Sequence, residues 1–233
     1  MNRCVAIISD IHGNYPALKA VLDDIDSKGI NEIYCLGDLV GYYCMFNEVI
    51  EEIRKRNIPC IMGNHDYALA FNNGVIERSK TCTKILMWQR GIIAHDNLDY
   101  LKSLKSSIIF SKHAVNFFCT HGGLEDNIDE YLFEVPINYF SEHNFNYDAL
   151  ITGHTHLPSY KSFFSGKFWI NPGSVGQPRD GNIRSAYVII DHNLKVHFER
   201  INYNTQLIVE AMKKNQFEEY IYQPLLTGKK IAY

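Results

Sequence analysis

The 233-residue sequence has no run of about 18 apolar residues, so no membrane-spanning helix is expected. It has no excess of positive charge: 23 Lys and Arg stand against 26 Asp and Glu, a formal net charge of -3. That balance excludes a bulk electrostatic grip on DNA or RNA and leaves room only for a local basic patch, so a long nucleic acid is not an expected partner. Six cysteines occur without a C-x-x-C pair. Cys4, Cys35, Cys60 and Cys119 lie in apolar runs that read as strands, where a thiol behaves as a small hydrophobe. A reduced, cytoplasmic protein is the simplest reading. The segment Met1 to Asp10 is too short and too soon interrupted for a secretory signal. Internal repeats, low-complexity tracts and long linkers are missing as well. What remains is 46% hydrophobic and 21% charged. A chain of that make-up and length buries a core without disulfide staples. One α/β domain over residues 1–233 is expected, with a local elaboration or lid near 124–146.

The first hundred residues alternate short β-rich runs with helical periodicity. Cys4 to Ile8 is the first run. Asn14 can cap the helix that follows, whose Leu18, Val21, Leu22 and Ile25 share one face, and Gly29 closes it. Ile33 to Leu36 and Ile58 to Met62 are further runs, with a helix near Asn47 to Arg56 between them. That helix carries its acids early and its bases late, as the helix dipole favours. Strands alternating with helices argue for βαβ units and a largely parallel sheet. Residues 67–105 read as mainly helical. Two strands within Ile108–Cys119, short strands at Ala149–Thr152 and Phe168–Asn171, a hairpin turning at His192-Asn193 and a helix over Thr205–Lys214 follow.

Polar residues stand immediately after these runs: Ser9-Asp10-Ile11-His12-Gly13, Gly37-Asp38-Leu39-Val40-Gly41, Gly63-Asn64-His65-Asp66, Thr120-His121-Gly122 and Gly153-His154-Thr155-His156. Ligands of open α/β sheets bind beyond the carboxyl ends of strands. Each segment alone has an ordinary reading. Asp10 and Asp38 suit a helix cap or turn, Asn64 a turn, and His121 a satisfied core or surface position. The pair His154 and His156 is a weak metal signal taken singly. Together the five segments supply carboxylate, carboxamide and imidazole donors, without thiolates, a set that suits Mn²⁺, Fe, Zn²⁺ or Ni²⁺.

In this order, D-x-H, G-D-x-x-G, G-N-H-D, T-H-G and G-H-T-H resemble the calcineurin-like metallophosphoesterase superfamily. The later stretch Asn171-Pro172-Gly173-Ser174-Val175-Gly176-Gln177-Pro178-Arg179 resembles its small bacterial and archaeal phosphodiesterase branch. The resemblance implies a four-layer α/β/β/α sandwich of two mixed sheets. It implies that Asp10, His12 and His156 hold one metal and Asn64, His121 and His154 a second, with Asp38 bridging the two. It makes His65 the general acid, with Asp66 beside it to orient or polarise its ring. Two divalent ions about 3.5–4 Å apart can activate a bridging hydroxide for in-line attack, and a histidine can protonate the departing alkoxide.

The implied activity is metal-dependent phosphoester hydrolysis, a phosphodiester of a small molecule or nucleotide before others and Mn²⁺ before other metals. Phosphomonoesterase and dinucleoside polyphosphate hydrolase activity need the same site. A non-catalytic metal-binding scaffold is the alternative of another class, and a homo-oligomer stays open. For substrate contacts the candidates are Arg179, against a surface arginine paired with Asp180, and the aromatics Tyr42, Tyr43 and Phe46, against loop packing; Tyr43 and Arg179 are carried forward. Asn171 and Ser174 are read as supports of the metal shell or as turn residues. His95, His113, His143, His192 and His197 match no motif.

Overall fold

In a computed structural model that describes residues 4–73 and 80–229, strand β1 (Val5–Ile8) is buried on both faces. Its side chains alternate between two cores. Val5 and Ile7 enter a cluster between two sheets, while Ala6 and Ile8 enter a cluster with helices. That alternation is why the run is apolar at every position.

One sheet has the order β2-β1-β8-β9, made with β2 (Glu32–Cys35), β8 (Ser185–Ile190) and β9 (Val196–Ile201). Helix α1 (Tyr15–Ser27) and helix α2 (Phe46–Lys55) pack on its outer side. Asn14 caps α1 by accepting from the Ala17 N–H at 3.3 Å. Ala17, Leu18, Val21, Leu22 and Ile25 are all buried on one stripe. Helices α3 (Asn64–Phe71), α4 (Lys80–Ile92) and α5 (His95–Ser103) extend this layer, and the part of the expected helical stretch at 74–79 lies outside the described residues.

The second sheet has the order β3-β4-β5-β7-β6, from β3 (Ser107–Lys112), β4 (Val115–Thr120), β5 (Ala149–Ile151), β6 (Ser159–Ser162) and β7 (Phe168–Asn171). Phe117, Cys119, Ala149, Ile151 and Ile170 face the first sheet. Leu150 and Trp169 face outward, where Leu132, Val135, Tyr139, Phe140 and Phe145 cover them. That cover contains one short helix, α6 (Tyr139–Glu142), and forms the fourth layer. Helices α7 (Thr205–Lys214), α8 (Glu219–Tyr222) and α9 (Pro224–Thr227) pack with Tyr42, Tyr43 and Ile85 in a separate cluster.

The two mixed sheets are those the resemblance implies, and two expectations drawn from the periodicity alone are corrected. The sheets are mixed rather than largely parallel: β1 pairs parallel with β2 but antiparallel with β8, and β4–β5 and β5–β7 are parallel while β3–β4 and β6–β7 are not. The run at 58–62 is not a full strand. It makes one bridge at Cys60 to Cys35 and one at Ile61 to Lys105, linking the two halves without a ladder of its own.

Candidate metal centre

Asp10 and His12 follow β1, Asp38 follows β2, His121 follows β4, and His154 and His156 follow β5; Asn64 opens α3. All seven side chains are buried and lie at one end of the two sheets. Asp10, His12, Asp38, His154 and His156 have φ between 53° and 66°. This left-handed backbone is unfavourable for residues other than glycine and clusters at functional sites. Here it turns the chain back within two to five residues of a strand end and brings the side chains together.

Candidate ligand atoms of Asp10, His12 and His156 lie within 4.8 Å of one another, and so do those of Asp38, His121 and His154. The Asp38 carboxylate stands between these groups. Its Oδ2 is 3.5 Å from His12 Nε2 and 3.3 Å from His121 Nε2. Asn64 Oδ1 joins the second group at 3.2 Å from His121 Nε2. His65 is in reach as well: with His12 and Asp38 it forms a third cluster within the same 4.8 Å.

The donors fit cations. His12 Nδ1 meets the Val40 carbonyl at 2.9 Å and His156 Nδ1 meets the Gln177 carbonyl at 2.6 Å. Carbonyls only accept, so both Nδ1 atoms carry the proton and both Nε2 atoms present lone pairs when the rings are neutral. Burial keeps them neutral, pushing His12 down to about 4 and His156 well below the ordinary histidine range. Yet the two Nε2 atoms face each other at 3.1 Å. Facing lone pairs repel unless a shared cation lies against them. Asp10 Oδ1 and Asp38 Oδ2 are buried without a hydrogen-bond partner among the described residues. Such orphaned carboxylate oxygens are costly and mark a site built for an ion.

His121 tells the same story from the protonated side. Its Nδ1 faces the Leu36 carbonyl at 2.8 Å, and its Nε2 faces Asn64 and Asp38. Burial works to lower its pKa, but the charge and hydrogen bonding of Asp38, with the Asp10 charge and the Leu36 carbonyl, together outweigh burial and raise it to about 10. In turn His121, His65 and His12 overcome burial at Asp38 and hold that carboxyl well below its usual range. Asp10 is raised to about 6 by burial, with Asp38 adding to it. The raised His121 value gives a signed expectation for the metal-free protein. Its contribution to stability is whole below the ordinary 6.5 and fades as pH climbs toward about 10. The melting temperature of chelated protein is therefore expected to fall between about pH 7 and 9. Metal-loaded protein should escape that fall, because ligation replaces the proton. Scanning calorimetry on both forms checks it, and a flat profile for chelated protein would show that Asp38 does not hold the proton on His121.

Asp66 does not sit where the sequence put it. Its two oxygens accept from the backbone N–H groups of Asp38 (2.8 Å), Leu39 (2.9 Å), Val40 (3.2 Å) and Gly63 (3.0 Å). It clamps the loop that carries Asp38 instead of polarising the His65 ring, whose Nδ1 lies 3.6 Å from Cys82 Sγ. Gly41 packs under that ring, and a Cβ added there would collide with His65 Nδ1 at a backbone φ of +88°. Gly41→Ala is expected to displace the ring and lower turnover by about tenfold or more while metal content stays at the wild-type value, read by metal analysis beside steady-state rates.

Tyr43 is corrected too. It is fully buried, its hydroxyl accepts from Gln177 Nε2, and it packs with the C-terminal helices; Phe46 is likewise core. Tyr42 faces the centre instead, its ring 4.7 Å from that of His12 and 5.0 Å from that of His65. Arg179 does not pair with Asp180, which is taken by Arg200. Asn171 and Ser174 do hold the ligand loops: Asn171 Nδ2 donates to the Gly153 carbonyl at 2.6 Å, and Ser174 Oγ donates to the Asp10 carbonyl at 2.7 Å.

Three residues escaped the sequence reading. Gln89 accepts from the Gly41 N–H and donates to the Tyr43 carbonyl, fixing the loop over His65. Asp129 accepts from Asn64 Nδ2 at 3.0 Å and lies 3.5 Å from His154 Nε2. Gln177 ties His156, Tyr43 and Arg179 together. Asp129 sits within the aromatic-rich elaboration, and its neighbour Tyr131 lays its ring 3.7 Å from that of His154.

Comparison with known proteins agrees with this geometry. A profile of the calcineurin-like phosphoesterase superfamily domain matches residues 4–194. An uncharacterized protein of Methanocaldococcus jannaschii is 35% identical over 97% of this chain and 98% of its own. The crystal structure of a metallophosphoesterase from Sphaerobacter thermophilus superposes with a TM-score of 0.83 at 29% identity, covering 98% of this chain and 100% of that one. A hypothetical protein from Pyrococcus horikoshii OT3 shares the fold, with a TM-score of 0.85 at 22% identity over 97% of this chain and 99% of its own. With two mixed sheets, helices outside them and five ligand-bearing strand and helix ends converging, the chain belongs to the calcineurin-like phosphoesterase superfamily.

Proposed function

We propose that this protein hydrolyses small phosphate esters or nucleotides with the help of two divalent cations, Mn²⁺ being the first to try. The observation that carries the reading is the facing pair of His12 and His156 Nε2 atoms at 3.1 Å beside two orphaned carboxylate oxygens. Asp10, His12 and His156 would hold one ion, Asn64, His121 and His154 the other, and Asp38 would serve both. Bound there, such ions supply Lewis acidity and lower the pKa of water. The chain's own groups do the rest. His65, its Nε2 4.0 Å from Asp38 Oδ2, keeps a proton for the departing alkoxide. Asp66 holds the Asp38 loop rigid. Arg179 offers donors to phosphate oxygens.

A phosphodiester is the first substrate class to test, followed by monoesters and dinucleoside polyphosphates, since all three use the same groups. No described helix is long and apolar enough to cross a membrane, and the cytoplasm and a homo-oligomer belong to the proposal. The test is metal analysis of the protein as purified, then hydrolysis of bis-p-nitrophenyl phosphate with added Mn²⁺. Metal-loaded protein inert across diesters, monoesters and dinucleoside polyphosphates would overturn the reading.

A further inference from the structure

Arg179 is a cation without a carboxylate. It is half-buried, no ion pair to it exists among the described residues, and the adjacent Asp180 is spent on Arg200. Its guanidinium is nevertheless held firmly by neutral groups. Nε and Nη2 donate to Gln177 Oε1 at 3.2 and 2.8 Å, and Nη2 donates to the Tyr42 hydroxyl at 3.1 Å. The group also lies over the Tyr42 ring, 5.6 Å from its centroid. These bonds use the Nε and Nη2 edge. Nη1 makes no hydrogen bond among the described residues and keeps two donors.

The acceptor is oriented as well. Gln177 is buried, and its Nε2 donates to the Tyr43 hydroxyl at 3.2 Å. The reverse orientation would set an amide NH₂ against the guanidinium. The Gln177 backbone carbonyl takes the His156 Nδ1 proton, so one residue fixes both a candidate ligand and the arginine. The arginine also stands beside the centre, because the Tyr42 that accepts from it lays its ring 4.7 Å from that of His12. A guanidinium pinned by neutral partners keeps its full charge for a visitor, whereas one pinned by a carboxylate would not.

We infer that Arg179, held by Gln177 and Tyr42, is a charge-reading arm that binds an anionic phosphoryl oxygen and makes the site favour phosphate esters carrying two negative charges over singly charged diesters. This rests on the phosphoesterase reading of the same centre and reverses the order of substrates within it, placing phosphomonoesters and nucleotides with a terminal phosphate ahead of diesters. Gln177 is the positioning residue, and its neutrality is part of the device.

The experiment compares p-nitrophenyl phosphate with bis-p-nitrophenyl phosphate at about pH 8, where the first carries two charges and the second one, with the same leaving group. Metal-loaded wild type, Arg179→Gln, Arg179→Lys and Gln177→Glu are assayed after metal content is matched. Arg179→Gln is expected to lower kcat/KM on the dianion by roughly ten- to a hundredfold and on the monoanion by less than about threefold. Gln177→Glu, which pairs the arginine internally, should shift the same ratio in the same direction. Arg179→Lys should recover part of the loss. Equal losses on both esters overturn the proposal. If neither ester is turned over, calorimetric titration of orthophosphate against dimethyl phosphate reads the arm without catalysis. Orthophosphate binding weakened at least about tenfold in Arg179→Gln, with dimethyl phosphate unchanged, supports it, and unchanged orthophosphate binding overturns it.

Discussion

Asp38→Asn is expected to empty the centre without unfolding the protein. The carboxamide keeps an oxygen for the His65 backbone N–H, which Asp38 Oδ1 accepts at 2.9 Å. It removes the charge that His12, His65 and His121 all face. Without that charge, two candidate groups lose the carboxylate standing between them, and His121 loses the partner that raises its pKa to about 10. Metal stoichiometry should drop below that of the wild type, and kcat/KM on any substrate should fall by about a thousandfold or more. Elemental analysis after dialysis and far-ultraviolet circular dichroism are the measurements. A folded Asp38→Asn protein with full metal content and full rate would remove this residue from the shared position.

His65→Ala separates two roles that the geometry allows. The ring lies in a cluster with His12 and Asp38 and so stands within reach of an ion. As a proton donor, its loss costs most where the leaving group is a strong base. Turnover of alkyl phosphate esters should fall by about 10²- to 10⁴-fold, while p-nitrophenyl esters, whose leaving group needs no proton, should fall by roughly tenfold at most. Metal content should be unchanged. Loss of a metal ion in His65→Ala would make the residue a ligand, and equal losses across leaving groups would end its role as an acid.

The sequence carried the sites that depend on local grammar and missed those that depend on long-range closure. Asn14, the face of α1 and the limits of α7 follow from capping and period, and all three appear as read. The mixed character of the sheets was not visible in the period, because β8 joins β1 from about 180 residues away in an antiparallel sense. The run at 58–62 has the composition of a strand, but its neighbours Cys35 and Lys105 belong to separate segments and offer one bridge each. Tyr42 and Tyr43 are adjacent and alike in chemistry. Both pack against the C-terminal helices, but positive φ at Gly41 and Tyr42 sets the first ring against His12 and His65 while the second is fully buried with its hydroxyl on Gln177, a difference no local pattern encodes. Asp66 was placed by proximity in sequence to His65, yet four N–H groups of residues 38–40 and 63 claimed its oxygens. Gln89 and Gln177 gave no signal, because a buried amide is defined only by the distant backbone and side-chain groups it satisfies.

The left-handed turns at Asp10, His12, Asp38, His154 and His156 have a bearing on how the protein meets its ions. The conformational expense of those turns is met by the surrounding sheets when the polypeptide folds, ahead of any visitor. A socket cut to shape in advance can be emptied and refilled at leisure, and the ion that settles there is chosen by abundance and coordination taste as much as by the protein. Stripping with a chelator should therefore leave the outline of the molecule intact, and reconstitution with a different divalent ion should proceed without passing through the unfolded chain.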